Sequence, residues 1–317
     1  MAVCTTRRNF LNEASALSAM AAAGGVFGQS HESTGVAELE LRQGEIDAIT
    51  PSDFAAYWKP GLSLPPERLS GMVTRFPVLG RLEAAFEKVA QEAKYTVVDD
   101  VSHPAVWYVY NMGLIVKTPQ TLFSIDLHHR RAEELAPLLD FALITHNHND
   151  HYTERFKYAM DRLQHKPVVN NFFDNYGVAD RKNGGYTRAN KTFHFGDVTI
   201  KTGLCDHNSY LIDYTTTFEI QMGDFTLFHS GDCSSHAKLK VSRSPDLWVF
   251  HPRCGMNVAE ACEAAIRPKK AVIAHLQELG HSKGRWRWTY RDGLNEKAKI
   301  EGVGFPAIMP LWGERIA

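Results

Sequence analysis

Four potential metal ligands lie within six residues near the middle of this 317-residue chain. The apolar run Phe141 to Ile144 predicts a short buried strand, and His146, His148, Asp150 and His151 follow it, where such a strand would emerge into a loop. Side chains alternate along an extended backbone, so the first two imidazoles point the same way. Imidazole nitrogen and carboxylate oxygen suit Zn²⁺, Fe or Mn²⁺. A solvated, histidine-rich loop would not explain this spacing, so the segment is interpreted as a metal site.

The same residue types recur, in order, at four other places in the chain. Asp126 ends the apolar run that begins at Thr121, and His275 ends another apolar run that begins at Ala271. His207 and Asp232 stand in the short polar segments Cys-Asp-His-Asn-Ser and Phe-His-Ser-Gly-Asp. Strand ends are where rigid scaffolds usually present chemistry. One such match would be weak, whereas five in order indicate one shared site.

The pattern His-x-His-x-Asp-His, together with the one match before it and the three after it, resembles the motifs of the metallo-β-lactamase superfamily. The resemblance covers residues 95–317. The alternation of strands and helices in two successive sets favours two packed sheets with helices outside. The resemblance implies an α+β fold, a four-layer αββα sandwich. It also implies two divalent transition-metal ions, zinc with manganese and iron as alternatives, and a hydroxide held between them.

The resemblance also implies a role for each matching residue. His146, His148 and His207 would hold the first ion, whereas Asp150, His151 and His275 would hold the second. Asp232 would bridge the two ions, and Asp150 would in addition orient the nucleophile as a catalytic residue. Asp126 would hydrogen-bond the ligand loop, a contact on which ligand geometry depends. His229, close to Asp232, would support that ligand.

Other histidines compete for these roles. His194 alternates within a predicted hairpin strand, so it is expected to be half-buried or exposed, and His251 receives no role. His281, Lys283 and Arg285 follow His275 closely enough to be predicted substrate contacts, since Lys and Arg pair with phosphate or carboxylate. The alternative is a structural strand whose tryptophans, 286 and 288, are buried and whose arginines are solvated.

The polar segments around His207 and Asp232 are similar to the branch with ascorbate-phosphate lactonase-like and N-acyl-phosphatidylethanolamine phospholipase D-like hydrolases. The implied function is hydrolysis of an ester-type bond, a phosphodiester or lactone, in an anionic small molecule or lipid. A mononuclear iron dioxygenase of the same superfamily, acting on a thiol, and a non-enzymatic binding protein remain alternatives. Antibiotic hydrolysis is not expected, because secreted zinc β-lactamases lack the bridging aspartate.

The sequence before the metal motifs divides into two further segments. Residues 1–30 are predicted to be a twin-arginine export signal, because Arg7 and Arg8 precede a weakly apolar Ala- and Gly-rich run. The alternative is an N-terminal helix with two chance arginines. Export would make the export machinery a partner and would place the protein, folded beforehand, in the periplasm or outside the cell. Residues 31–94 are predicted to form a helical extension of the catalytic domain, residues 95–317.

Composition limits the remaining possibilities. The formal net charge is -1, so there is no global basic field to recruit nucleic acid, and nucleic acid is not an expected partner. Of the five cysteines, Cys4 lies in the predicted signal. The other four permit disulfides in an oxidising compartment without requiring them. The sequence does not indicate an oligomeric state.

Overall fold

A computed structural model describes residues 31–172, 179–182, 185–188 and 190–317. The predicted export signal, residues 1–30, lies outside these residues and remains a prediction. Glu38–Ala317 form one compact unit, which holds all the predicted metal ligands. None of the described helices combines the length and apolarity needed to span a bilayer.

Helices occupy the first part of the described chain: α1 (His31–Asp47), α2 (Pro51–Trp58), α3 (Pro66–Arg75) and α4 (Pro77–Tyr95). A capping box starts α2, because the Thr50 hydroxyl accepts from Asp53 N while the Asp53 carboxylate accepts from Thr50 N. Proline at the first helical position begins α3 and α4. The helical character expected for this region is present, although its status as a separate domain remains a prediction.

The first sheet has six strands in the order β17-β1-β2-β3-β4-β5. β3 and β4 are parallel neighbours, and β4 and β5 are also parallel, whereas β1, β2 and β3 pair antiparallel. The last strand of the chain closes the sheet by pairing antiparallel with β1. The strands are β1 (Ala105–Tyr108), β2 (Leu114–Lys117), β3 (Leu122–Ile125), β4 (Phe141–Leu143), β5 (Val168–Val169) and β17 (Glu314–Arg315).

The second sheet has seven strands in the order β16-β13-β12-β11-β10-β9-β8. It contains two hairpins that the sequence predicts from the pairs Gly196-Asp197 and Gly223-Asp224, each between two strand-like runs. Each turns at its glycine, which has a positive φ of 54°. The strands are β8 (Thr192–Phe195), β9 (Val198–Cys205), β10 (Thr215–Met222), β11 (Phe225–His229), β12 (Leu247–Phe250), β13 (Ala271–Ile273) and β16 (Ala307–Ile308). A separate backbone hairpin joins β6 (Ala179–Lys182) to β7 (Gly185–Arg188).

The two sheets face each other across one core, and helices cover their outer faces. Leu247 and Val249 of β12 belong to the core between the sheets, whereas Trp248 and Phe250 belong to a second cluster on the other face. That second cluster is completed by the short helix α5 (Val258–Ala261) and by α6 (Tyr290–Gly302). α4 covers the first sheet with one apolar face, which helical spacing in the sequence predicts; its residues are all buried: Leu79, Leu82, Phe86 and Val89. The predicted α+β class and four-layer order are confirmed.

The topology brings the predicted ligand segments to one edge of the sandwich. β3 and β4 are parallel, and so are β11, β12 and β13, so within each sheet their carboxyl ends lie together. β9 is antiparallel to β10, which is antiparallel to β11, so β9 runs in the same direction as β11. Ligand sites in such sheets form beyond the carboxyl ends of the strands. The segments that follow these strands, with the predicted ligands, therefore lie at this edge.

One interpretation of the C-terminal segment is reversed by the structure. β14 (Ser282–Lys283) and β15 (Trp286–Arg287) form a short parallel pair around Gly284. Trp286 is 54% exposed, whereas Arg287 is only 4% exposed. The alternative reading, with both tryptophans buried and the arginines solvated, is therefore wrong at these two positions. The reason is that the Arg287 guanidinium finds backbone acceptors at Ile46, Ile49 and Leu279.

Candidate metal centre

The ligand loop after β4 is held from both sheets through Thr145. The backbone N–H of Thr145 donates to Asp126 Oδ1 at 2.8 Å, and its hydroxyl donates to Asp126 Oδ2 at 2.7 Å. The carbonyl of Thr145 accepts from Thr216 N on β10 at 2.7 Å. The same hydroxyl lies 3.0 Å from His146 Nδ1. Asp126, at the end of β3, thus fixes the start of the loop that carries the first ligands.

Asp126 also determines how His151 is presented. His151 Nδ1–H donates to Asp126 Oδ2 at 2.9 Å, and both side chains are fully buried. Because Nδ1 is engaged by Asp126, Nε2 is the ring nitrogen that would bind a metal. Nε2 lies 3.4 Å from Asp232 Oδ1 and 3.9 Å from Asp150 Oδ1. The contact to Asp126 predicted from the resemblance is present in the structure.

Asp232 reaches the same place through a tight turn after β11. Gly231 has a φ of 55°, and a Cβ at this position would approach Thr145 Cβ to 2.9 Å, so glycine allows the turn to lie against the ligand loop. His229 uses both ring nitrogens here, since Nε2 donates to Met112 O at 3.1 Å and Nδ1 accepts from Gly231 N at 3.3 Å. His229 therefore shapes the turn that carries Asp232 and has no lone pair left for a metal.

His275 and Asp150 are joined by an asparagine that the sequence did not single out. The Asn111 side chain donates to Asp150 O at 2.7 Å, and its backbone carbonyl accepts from His275 N at 2.8 Å. Both Asn111 and His275 have positive φ values, 56° and 53°. Such backbone conformations persist where the surroundings over-determine them, often at functional sites. As a result, His275 Nε2 lies 3.0 Å from Asp150 Oδ2.

The seven predicted ligands converge. In each of the following groups the ligand atoms lie within 4.8 Å of one another: His146, His148 and His207; Asp150, His151 and His275; and His146, His151 and Asp232. Asp232 also lies 3.5 Å from His207 Nε2 and 3.8 Å from His275 Nε2, so it stands between the first two groups. Asp232 therefore lies between the two groups of residues that are each predicted to hold one ion.

Several atoms of this cluster lack a partner within the described part of the chain. The Nε2 atoms of His146, His151 and His207 and the Oδ1 atom of Asp232 are buried without a hydrogen bond. Unpaired buried polar atoms cost free energy, and native proteins rarely leave several of them together. Nitrogen lone pairs and carboxylate oxygens converging on one space form a donor set that suits Zn²⁺, Fe or Mn²⁺. The residues therefore fit divalent transition-metal ions.

The charges at the cluster also favour a cation. Burial alone would raise the pKa values of Asp150 and Asp232, but the surrounding imidazoles hold both well below their usual range. Burial alone would lower the pKa of His151, yet Asp232, Asp150 and Asp126 together raise it well above its usual value. The ionised carboxylates of Asp150 and Asp232 lie in one buried cluster and create a negative potential, which bound cations would offset.

The loop after β12 contributes two residues that the sequence analysis missed. His251 lies with Asp232 and His275, and Cys254 lies with His207 and Asp232, each group again within 4.8 Å. Cys254 donates its thiol to His207 O at 3.2 Å, and burial raises its pKa, so it is a neutral thiol that steadies the His207 segment. The available signal was the apolar run before His251, the same strand-end pattern that identified His275. The four described cysteines are all free.

The predicted substrate contacts have partners of different kinds. His281 Nδ1 lies 2.7 Å from the buried carboxylate of Glu278, which also accepts from Tyr110 OH and Gly280 N. Lys283 is exposed and pairs with Asp47 on α1 at 2.7 Å. Arg285 places its guanidinium 4.5 Å from the centre of the Trp286 ring. The structure therefore leaves Arg285 at the surface, while Lys283 already has a protein partner. His194, as expected, is exposed on β8.

Comparisons with known proteins give remote likenesses. No family model matches the chain. A UPF0173 protein of Pyrococcus abyssi is 26% identical over 193 residues, which are 55% of this chain and 84% of that protein. A metallo hydrolase of the archaeon Ignicoccus hospitalis has a TM-score of 0.49 and 14% identity, over 67% of this chain and 97% of that one. CmlA, a diiron β-hydroxylase of Streptomyces venezuelae, has a TM-score of 0.49 and 16% identity, over 78% of this chain and 59% of that one.

Proposed function

We propose that this protein is a metal-dependent hydrolase that holds two divalent transition-metal ions. The observation that carries the proposal is the convergence of all seven predicted ligands, with their unpaired nitrogen and oxygen atoms facing one another. His146, His148 and His207 would hold one ion; Asp150, His151 and His275 would hold the other, with Asp232 between them. Bound ions of this kind lower the pKa of a coordinated water toward about 7 and so supply a nucleophile at neutral pH.

The protein's own residues provide positioning and charge. Asp150 and Asp232 are ionised, so their carboxylates accept hydrogen bonds from a nucleophilic water and orient it. Asp126 keeps the proton of His151 on Nδ1 and therefore presents Nε2 to the cluster. The predicted bond is an ester-type bond, a phosphodiester or lactone, in an anionic small molecule or lipid. Zinc is the favoured ion, with manganese and iron as alternatives, and periplasmic or external location remains part of the proposal.

The proposal is tested by metal analysis of the purified protein together with hydrolysis of generic phosphodiester, phosphomonoester and lactone substrates. We expect about two transition-metal equivalents per chain. His146→Ala and Asp232→Ala should lower metal content and abolish hydrolysis, because each removes a ligand from the centre of the cluster. His194→Ala is the matched control, since this exposed histidine lies on β8. Full activity of the unaltered protein after exhaustive chelation would contradict the proposal.

The dioxygenase alternative gives different results in the same experiments. It requires iron alone, about one equivalent per chain, and oxygen uptake in the presence of a thiol substrate. The non-enzymatic alternative predicts neither hydrolysis nor oxygen uptake. The structure favours the hydrolase over both, because no predicted ligand is displaced from the cluster and the groups on both sides of Asp232 are complete.

The expectation of an anionic substrate rests on Arg285. It is exposed, and a planar guanidinium binds phosphate or carboxylate through two hydrogen bonds. Arg285→Ala should therefore weaken transition-state binding of an anionic substrate by about 1.5–3 kcal/mol, the range for hydrogen bonds to charged groups, with metal content unchanged. The measurement is kcat/KM for matched anionic and neutral substrates. Equal losses on both, or none on either, would show that Arg285 does not contact the anion.

A further inference from the structure

The ring of His251 is held in a definite orientation by its own loop. Its Nδ1 accepts a hydrogen bond from Arg253 N at 3.0 Å, and the residue is 5% exposed. The ring also lies against His275, with 4.1 Å between ring centres. No other described residue is hydrogen-bonded to the His251 ring, so Nε2 is the atom left to act on the cluster formed with Asp232 and His275.

The hydrogen bond from Arg253 decides the protonation of the ring. A neutral imidazole has one N–H and one bare nitrogen, and a nitrogen that accepts a backbone N–H must be the bare one. The proton of His251 is therefore on Nε2. Histidines that bind metals show the opposite arrangement, in which the nitrogen away from the metal donates its N–H to an acceptor. His151 has that ligand arrangement, because its Nδ1–H donates to Asp126.

We propose that His251 is a hydrogen-bond donor to the substrate, not a metal ligand, and that its Nε2–H stabilises the oxygen on which negative charge develops during hydrolysis. The identity of that oxygen rests on the proposed function, whereas the position of the His251 proton does not depend on it. A fixed donor beside the reacting atoms needs no reorganisation during the reaction.

The position in the sheet supports this role. β12 lies between β11, which leads to Asp232, and β13, which leads to His275, and all three strands are parallel. His251 therefore enters the site between these two predicted ligands from the middle of the same sheet edge. Cys254, three residues later, bonds to the His207 carbonyl and ties the far end of the loop to the other ligand group. The loop after β12 is therefore held at His251 and again at Cys254, and these two contacts fix the direction of the His251 Nε2–H.

The first test reads the tautomer directly in the full-length protein by two-dimensional ¹⁵N–¹H NMR of the histidine rings, without metal and with two equivalents of Zn²⁺. We expect the His251 proton on Nε2 in both samples. Loss of the Nε2 proton on zinc addition would overturn the proposal, because it would make His251 a ligand. This reading holds whether or not any substrate is hydrolysed, so it separates this inference from the proposed function.

The second test uses His251→Asn, because the asparagine side-chain oxygen can still accept from the backbone two residues on while the donor at the Nε2 position is removed. We expect unchanged zinc stoichiometry, about 10-fold weaker binding of inorganic phosphate as an oxyanion probe, and a fall in kcat of about 100-fold, as for loss of one oxyanion donor. His194→Asn is the control and should match the unaltered protein. Loss of one zinc equivalent, or phosphate binding that is equal in both proteins or absent from both, would refute the donor role.

Discussion

At the scale of single residues, the site is a set of histidines sorted by the partners of their ring nitrogens. His151 donates from Nδ1 to a carboxylate and directs Nε2 to the cluster, His229 uses both nitrogens on the backbone, and His251 accepts on Nδ1 and presents an N–H. The three residues are identical in chemistry and differ only in their surroundings. Their roles as ligand, structural residue and donor follow from those contacts.

Asp126 is the residue that most strongly determines how the metal-binding histidines are positioned. Its carboxylate accepts from Thr145 N, from the Thr145 hydroxyl and from His151, so Asp126→Ala leaves the ligand loop and the His151 tautomer unsupported. We expect zinc affinity to fall about 10- to 100-fold, the usual cost of losing a partner of a metal-binding histidine. A competition titration with a chromophoric chelator measures this.

Asp246 offers the matched control for Asp126. It too accepts from a backbone N–H, that of Thr226, but it lies before β12, at the other end of the second sheet. Asp246→Ala should therefore cost stability without changing zinc affinity. If both variants bind zinc as tightly as the unaltered protein, Asp126 does not position the ligand loop.

At the scale of elements, the sequence predicted those strands whose signals are local. The run from Phe141, the two glycine-turned hairpins and the apolar run before His275 are all present where expected. β12 was missed, because a short apolar run bounded by polar residues cannot be assigned by periodicity alone. Without this strand, no strand-end position gave His251 a role. The pairing of β17 with β1 joins residues some 200 positions apart, and no local sequence pattern predicts it.

The alternative reading of β15, with tryptophan buried and arginine solvated, fails for the same physical reason. Arg287 is buried because its guanidinium donates to the carbonyls of Ile46 and Ile49, which lie at the end of α1 and beyond it, far away in sequence. A pattern of alternating tryptophan and arginine carries no information about such distant acceptors. The usual expectation that arginine is exposed and tryptophan buried is therefore overridden by tertiary hydrogen bonds.

Arg287→Ala should consequently destabilise the protein. It leaves three buried carbonyl groups, those of Ile46, Ile49 and Leu279, without their charged donor, and we expect a loss of about 3 kcal/mol in the free energy of unfolding. Urea unfolding followed by tryptophan fluorescence measures it. Arg285→Ala, two residues earlier and at the surface, should change stability by less than about 0.5 kcal/mol. Equal midpoints for the two variants would contradict the structural role of Arg287.

At the scale of the whole molecule, the helices before β1 and the metal site share one buried junction. The segment just after Asp126 places His128 against Trp58 of α2, with 4.1 Å between ring centres, and His129 against Phe86 of α4 at 4.0 Å. Glu83 of α4 accepts from Arg130 and from Tyr57 OH beside these rings. The segment that begins at Asp126 thus both supports the ligand loop and packs against α2 and α4.

This junction makes stability depend on pH in a definite direction. Burial lowers the pKa of His128 to about 4 and that of His129 to about 3, whereas an unfolded histidine has a pKa of about 6.5. Between these values the unfolded chain binds protons that the folded chain does not, so the free energy of unfolding falls as the pH is lowered from about 6.5 toward 4. Each histidine contributes up to about 1.4 kcal/mol per pH unit in this window.

His129→Phe isolates one of these contributions, because phenylalanine can keep the parallel stacking on Phe86 and cannot be protonated. The variant loses the hydrogen bond from Arg131 N, but that cost is the same at every pH. We therefore expect urea unfolding of the metal-loaded proteins at pH values from about 7 to about 5 to show a shallower decline for the variant, by about 1.4 kcal/mol per unit below pH 6. The other buried histidines titrate in both proteins, so the difference in slope belongs to His129 alone.

His194→Phe, at an exposed position, should keep the slope of the unaltered protein. Identical slopes in all three proteins would mean that His129 is already free to bind protons in the folded state, and that the helices are not held through a neutral, buried ring.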